Sequence, residues 1–199
     1  MTTSPPGTEA EQLYLKAVEY SPREWMFLHE LAGFYYFEAQ YDKSIAYWRQ
    51  ASEFSSGDNV MVLGNLGDSY RRAEGLKSNA GPAYEQAIGL VRDMLAKTPD
   101  DSGIRSSLAV YLAKLGDTAG ALAELAQVEK VPGRDKGILF KSALVYEVAG
   151  DRAKALAALR RAIEAGYSRL EIANEPELAK LRSDPGYPSI AGAGVALKK

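Results

Sequence analysis

The chain has 199 residues, 46% of them hydrophobic and 25% charged, and 24 Lys/Arg against 26 Asp/Glu leave a formal net charge of −2. With no cysteine and a single histidine it has no disulfide framework and no thiolate metal site, so nothing in it signals an oxidising compartment. No apolar run approaches the roughly 18 residues of a membrane span. Met1 to Gly7 lacks the basic flank and hydrophobic stretch of a secretion signal, so a cytoplasmic segment without membrane contact is expected.

The charge is unevenly placed. Residues 1–135 carry 13 Lys/Arg against 19 Asp/Glu, a net of −6, and residues 136–199 carry 11 against 7, a net of +4. No basic stripe interleaved with aromatics accompanies this, so nucleic acid is not an expected partner.

Residues 1–8, with Pro5-Pro6-Gly7, read as a flexible lead-in. From Glu9 the pattern becomes helical: Ala10, Tyr14, Ala17 and Tyr20 mark one face of a helix that Ser21-Pro22 stops. A second helix from about Arg23 to Ala39 packs Leu28, Leu31, Ala32 and Tyr35. After a turn at Gln40 to Asp42 a third carries Ser44, Trp48, Ala51 and Phe54.

The next pair opens near Val60 with Leu63, Leu66, Gly67 and Tyr70. Glu74 to Gly81 then interrupts the apolar pattern, either as a neutral surface insertion or as a binding lip. Pro82 suits the first turn of the following helix, lined by Ala87, Val91 and Met94. Asp101 to Glu129 forms another pair, with Leu108, Ala109 and Leu112 before Leu115-Gly116-Asp117 and Ala121, Leu125 and Val128 after it. Leu139 to Ala162 forms the last, with Ala143 and Tyr146 before Gly150-Asp151 and Ala155 and Leu159 after it. Gly116 and Gly150 supply left-handed turn positions, and Gly166 caps the helix ending near Ala165. Asn174-Glu175-Pro176-Glu177 opens a short helix whose Leu178 and Leu181 cover the last pair until Asp184-Pro185-Gly186 ends it. Residues 191–199, rich in glycine and alanine, read as a flexible tail.

A repeating helix-turn-helix with small residues at the close approaches indicates a stack of helix pairs. These residues resemble tetratricopeptide repeats. The registers begin at 25, 60, 102 and 136, with Ser56 where proline is usual and Ser142 where leucine is. The resemblance implies an all-α, right-handed superhelical solenoid of antiparallel pairs. Its parts would be a half repeat at 9–22, full repeats at about 25–58, 60–101, 102–135 and 136–169, and a cap at 170–187, making one domain over 9–190. A narrower likeness joins LGNLGDSYRR (63–72), YLAKLGD (111–117), ALVYEVAGDRAKAL (143–156) and AIEAGYSRLEIANEPELAKLRSDPGY (162–187). Those runs resemble the repeat regions of bacterial receptor-like Ser/Thr kinases, adenylate cyclases and winged-helix regulators. The likeness implies a C-terminal module of a signalling or regulatory protein whose catalytic or DNA-binding part lies in another domain.

In such arrays the first helices of successive units line a concave groove. The resemblance assigns to it Met26, His29, Gly33, Tyr36 and Phe37, then Met61, Gly64, Asp68, Arg71 and Arg72. The third unit adds Gly103, Ser106, Val110, Ala113 and Lys114, and the fourth Gly137, Phe140, Leu144, Glu147 and Val148. The implied partner is a peptide or protein segment held by apolar anchors, with acidic charge read by Arg71, Arg72 and Lys114. The alternative is that the aromatics pack internally and the arginines are solvated or paired. Chaperone-binding relatives clamp a terminal carboxylate with Lys and Asn where this chain has His29 and Gly33. Asp68 adds negative charge in place of another Asn, which argues against that ligand. No HExxH, GxSxG, GxxxxGK[ST] or GxGxxG is present, so no catalytic residue, metal or cofactor is expected. Self-association through the incompletely covered face of Tyr14, Ala17 and Tyr20 is the alternative function.

Overall fold

The computed structural model describes residues 6–57 and 59–191, all helix and turn, in two compact units, Met1–Leu90 and Val91–Lys199. The first holds α1 (Pro6–Tyr20), α2 (Trp25–Phe37), α3 (Tyr41–Phe54) and α4 (Val60–Arg72), and α5 (Ala80–Lys97) carries the chain into the second. There follow α6 (Ser102–Leu115), α7 (Thr118–Lys130), α8 (Lys136–Val148), α9 (Arg152–Glu164) and the short α10 (Arg169–Asn174), α11 (Ala179–Arg182) and α12 (Tyr187–Ala191).

In the first unit α2 and α3 form an antiparallel pair against which α1 and α4 pack. Their shared core is Leu28, Ala32, Ile45, Trp48, Ala51, Val62 and Leu66, with Val18, Trp25 and Leu76 partly buried around it. Gly67 sits against Tyr84: a Cβ there would stand 2.5 Å from the tyrosine ring, so only glycine lets α4 and α5 meet this closely. Buried Ser44 donates to Ala32 C=O (2.9 Å) and so accepts from the Ser69 hydroxyl (2.9 Å), which satisfies both hydroxyls inside the core.

In the second unit α6–α7 and α8–α9 are antiparallel pairs built on one plan. Asp101, Asp117, Asp135 and Asp151 each cap a helix by accepting from a backbone N–H of its first turn. Gly116 and Gly150 take φ +91° and +81°, and the residue after each donates back to the helix it leaves, from Asp117 to Leu112 C=O and from Asp151 to Tyr146 C=O. Ser142 is buried and donates to Ile138 C=O at 2.9 Å, so the hydroxyl that replaces leucine there has a partner. Short α10 to α12 follow the last pair, with Ile172, Leu178, Leu181 and Tyr187 buried.

Several local expectations shift. Helix α1 begins at Pro6, since a proline in the first turn loses no hydrogen bond, and residues 1–5 and 192–199 lie outside the described residues. Val18 packs inward at the last turn of α1, while Tyr20 is 89% exposed, which fits the incompletely covered face expected of that helix. Met94 is 43% exposed and Leu95 is buried in its place, so the packing stripe of α5 runs Tyr84, Ile88, Val91, Leu95. The turn after α2 falls at Glu38 to Gln40, one to two residues early, because Tyr41 joins the core. Glu175, not Asn174, caps the segment at Pro176, accepting from Glu177 N–H at 3.1 Å. Part of the Glu74–Gly81 stretch is a 3-10 turn at Lys77–Asn79. Ser56 takes φ +67°, a conformation closed to proline.

Candidate functional site

At 100° per residue, Met26, Gly33 and Phe37 fall on one stripe of α2, with His29 and Tyr36 on the flank beside it. The stripe has a shape. Met26 is 53% exposed and Phe37 52% exposed at its two ends, and a Cβ placed on Gly33 between them would touch nothing within 4 Å. We call this open stretch of helix surface, with an exposed large apolar side chain toward each end, the trough. Met61, 48% exposed, repeats Met26 on α4, in line with Asp68 and Arg72.

The flanking groups are held. Tyr36 is buried, with its ring 5.5 Å from Phe37 and 5.8 Å from Tyr41 edge to face. His29 is half-buried, its ring 4.6 Å edge-on to Trp48 and 6.1 Å from Trp25, and its Nδ1 has no hydrogen-bond partner. Burial lowers its pKa against the opposing pull of Glu30, so the imidazole is neutral at pH 7. Asp68 accepts from the Tyr84 hydroxyl at 2.6 Å, which fixes the carboxylate's position. Arg71 and Arg72 are half-buried in the last turn of α4, where cations complement the helix terminus. An open cavity of about 330 Å³ lies in the same unit, lined by Ala39 to Lys43, Ala73 and Glu74, so the start of the Glu74–Gly81 stretch borders a recess.

In the second unit the corresponding positions are filled. Val110, Phe140 and Leu144 are buried, and the Phe140 ring stacks on Tyr167 at 4.2 Å and 11°. Glu147 pairs with Arg152 at 2.9 Å, and Arg152 also donates to Lys180 C=O at 3.0 Å, tying the pair to the segment after α10. Lys114 is half-buried in the last turn of α6. Within each unit the assigned residues lie on the first helices, and among these assigned residues only those of the first unit, Met26, Phe37 and Met61, leave large apolar side chains in solvent.

Several exposed apolar residues are not on the sequence-assigned surface, and Leu13 and Leu170 are the most exposed of them after Tyr20. Leu13 (68% exposed) and Leu170 (70% exposed) stand off the packing faces of α1 and α10. Leu13 breaks the polar side of an amphipathic helix, which was a readable signal; Leu170 sits in too short a helix to have a period. Among the described residues no three His, Asp or Glu side chains converge to hold a metal, and no helix is long and apolar enough to cross a membrane.

No protein-family model and no curated protein matches the chain. Solved structures do resemble it. A tetratricopeptide-repeat protein of Thermus thermophilus is 19% identical, superposes with a TM-score of 0.57, and is matched over 86% of this chain and 90% of its own. Pseudomonas aeruginosa PilF is 18% identical over 92% of this chain and 75% of its own, at a TM-score of 0.44. A tetratricopeptide repeat protein from Parabacteroides merdae is 14% identical over 89% and 78%, at 0.43. The first of these, at its TM-score of 0.57, shows the fold and no more: repeated antiparallel helix pairs of the tetratricopeptide type.

Proposed function

We propose that the chain is a non-catalytic interaction module, and that it binds an extended or helical segment of a protein along the first helices of its N-terminal unit. The observation that carries this reading is the trough on α2, where exposed Met26 and Phe37 flank the open space over Gly33. Apolar anchors at a fixed separation with a glycine floor between them suit a ligand backbone with two large side chains, and Met61 extends the same surface onto α4. Arg71 and Arg72, in the last turn of α4 as Phe37 is in the last turn of α2, favour an acidic segment. The residue runs that resemble the repeat regions of bacterial receptor-like Ser/Thr kinases, adenylate cyclases and winged-helix regulators are what supports a setting within a larger signalling or regulatory protein.

Gly33→Trp tests the reading, since the side chain would leave the helix through a Cβ that meets nothing within 4 Å. Peptides selected from a random 12-residue display library on the wild-type chain should lose at least about tenfold in affinity for Gly33→Trp, by fluorescence titration. Unchanged affinity would reject the trough as the site. A second reading, self-association through α1, is favoured by Leu13 and Tyr20, which share one stripe of that helix and are both in solvent.

A further inference from the structure

Lys141 reaches from α8 to α6 in the C-terminal unit and is half-buried there. Its Nζ donates to Ser107 Oγ at 2.8 Å and lies 3.5 Å from Gly103 C=O. Among the described residues no carboxylate comes within 4.0 Å of it. Ammonium groups withdrawn from water are ordinarily paired with an anion, because desolvation penalises the charged form. This one has only neutral oxygens. A neutral amine carries two N–H groups and matches the two oxygens in reach, whereas an ammonium carries three and leaves one unmatched. Burial lowers the Lys141 pKa against the smaller opposing pull of Asp135 and Asp101, so the free amine is more abundant near neutral pH than at an exposed lysine.

The approach is open. Gly137 stands one turn before Lys141 and Gly103 one turn before Ser107. A Cβ built on either glycine would approach only the oxygen of the aspartate that caps its own helix, at 3.2 Å. Glycine at both places leaves room next to the amine for a small reagent.

The rim selects the class of that reagent. Asp101 accepts from Ile104 N–H and Asp135 from Ile138 N–H, both at 2.9 Å, and the two negative charges act on the Lys141 nitrogen. They oppose an anionic reagent such as an acyl phosphate. They favour a product that keeps a positive nitrogen, which an iminium does and an amide does not.

We propose that Lys141 is a covalent capture site for small uncharged aldehydes. The amine lone pair attacks the carbonyl carbon, and both amine protons leave with the carbonyl oxygen as water. The C=N nitrogen then takes up one proton from solvent, and nothing is oxidised or reduced. The single N–H of the iminium keeps Ser107 Oγ as its acceptor. This is capture without turnover, and it depends on neither the trough nor self-association.

Reductive trapping on the full chain tests it. Acetaldehyde with sodium cyanoborohydride at about pH 7 fixes each imine as an N-ethyl group, and peptide mass mapping reads the labelling of every lysine. Lys141 should be labelled at least about tenfold faster than exposed Lys97, Lys130 and Lys136. Its rate should reach half-maximum at a lower pH than the ordinary lysine value of about 10.4. Asp135→Asn keeps a capping side chain and should move that midpoint lower still. In concentrated urea the preference should vanish, because it comes from the fold. Acetyl phosphate in place of acetaldehyde should show no preference for Lys141. Labelling of Lys141 no faster than that of the exposed lysines overturns the proposal, as does an ordinary midpoint or a preference that survives urea. A preference shown with acetyl phosphate and not with acetaldehyde overturns the assignment to aldehydes.

Discussion

The two units place different residues at equivalent positions of their first helices. In α2 the large side chains, Met26 and Phe37, stand at the ends and glycine in the middle; in α8 the order is reversed, with Gly137 at the start and Phe140 and Leu144 in the middle. The first arrangement leaves a trough, and the second fills it and closes it further with Tyr167. A repeat position is thus neither core nor surface by itself. What covers it decides, and in the second unit the covering is the turn that leads to α10.

The largest expected difference follows from that contrast. Phe140→Ala removes a buried, stacked ring and should cost about 3 kcal/mol in urea unfolding, while Phe37→Ala, in solvent, should cost less than about 1 kcal/mol. Equal costs would mean that Phe37 is core and that the trough is not a free surface. The glycines of the first unit sharpen the same point. Gly67→Ala forces a Cβ onto the Tyr84 ring and should destabilise by about 2 kcal/mol, whereas Gly33→Ala should stabilise by about 0.5–1 kcal/mol through helix propensity. A destabilised Gly33→Ala would show that the space above it is not open.

The turns differ as well. Ala39 takes φ +57° where the second unit has Gly116 and Gly150, and Gln40 gives α3 no side-chain cap where Asp117 and Asp151 cap theirs. Gln40 N–H still bonds Tyr35 C=O at 2.8 Å, the same closure the glycine turns make. Helix packing therefore imposes the turn on residues that resist it. Ala39→Gly with Gln40→Asp should raise stability by about 1–2 kcal/mol, read as a shift of the urea midpoint at constant slope. No gain would show that the turn is not strained by its alanine.

The smallest effect is on pH. His29 has a folded pKa below its unfolded value near 6.5, so the unfolded chain binds more protons below that pH. The His29 contribution is full above about pH 6.5, falls as the pH drops toward the folded value, and levels off below it. His29→Gln should flatten that part of the stability profile. An unaltered slope would assign it to other groups.

The helix pairs were legible because each buried face repeats with the helical period and the turn inside each pair of the second unit, Gly116-Asp117 and Gly150-Asp151, carries a glycine and an aspartate. Leu28, Ala32, Leu108, Ala143 and Leu159 are buried as their spacing requires. Met94 lies off the buried stripe of α5 because that stripe drifts around the helix to Leu95, whereas the exposure of Tyr20 fits the incompletely covered face expected of α1. The candidate surface was legible only as a set of positions. Whether Phe140 faces water depends on Tyr167, which stacks on it from beyond the following helix and which no helical period on α8 can announce. Leu170 was invisible because six residues are too few to show a face.

The central claim is that the interaction surface lies on α2 and α4 of the N-terminal unit. Its most direct test is an NMR titration of the isotope-labelled full chain with a library-selected 12-residue peptide. The account predicts shift changes concentrated at Met26, Gly33, Phe37 and Met61. Changes centred instead on Val110, Phe140 and Leu144 would contradict it.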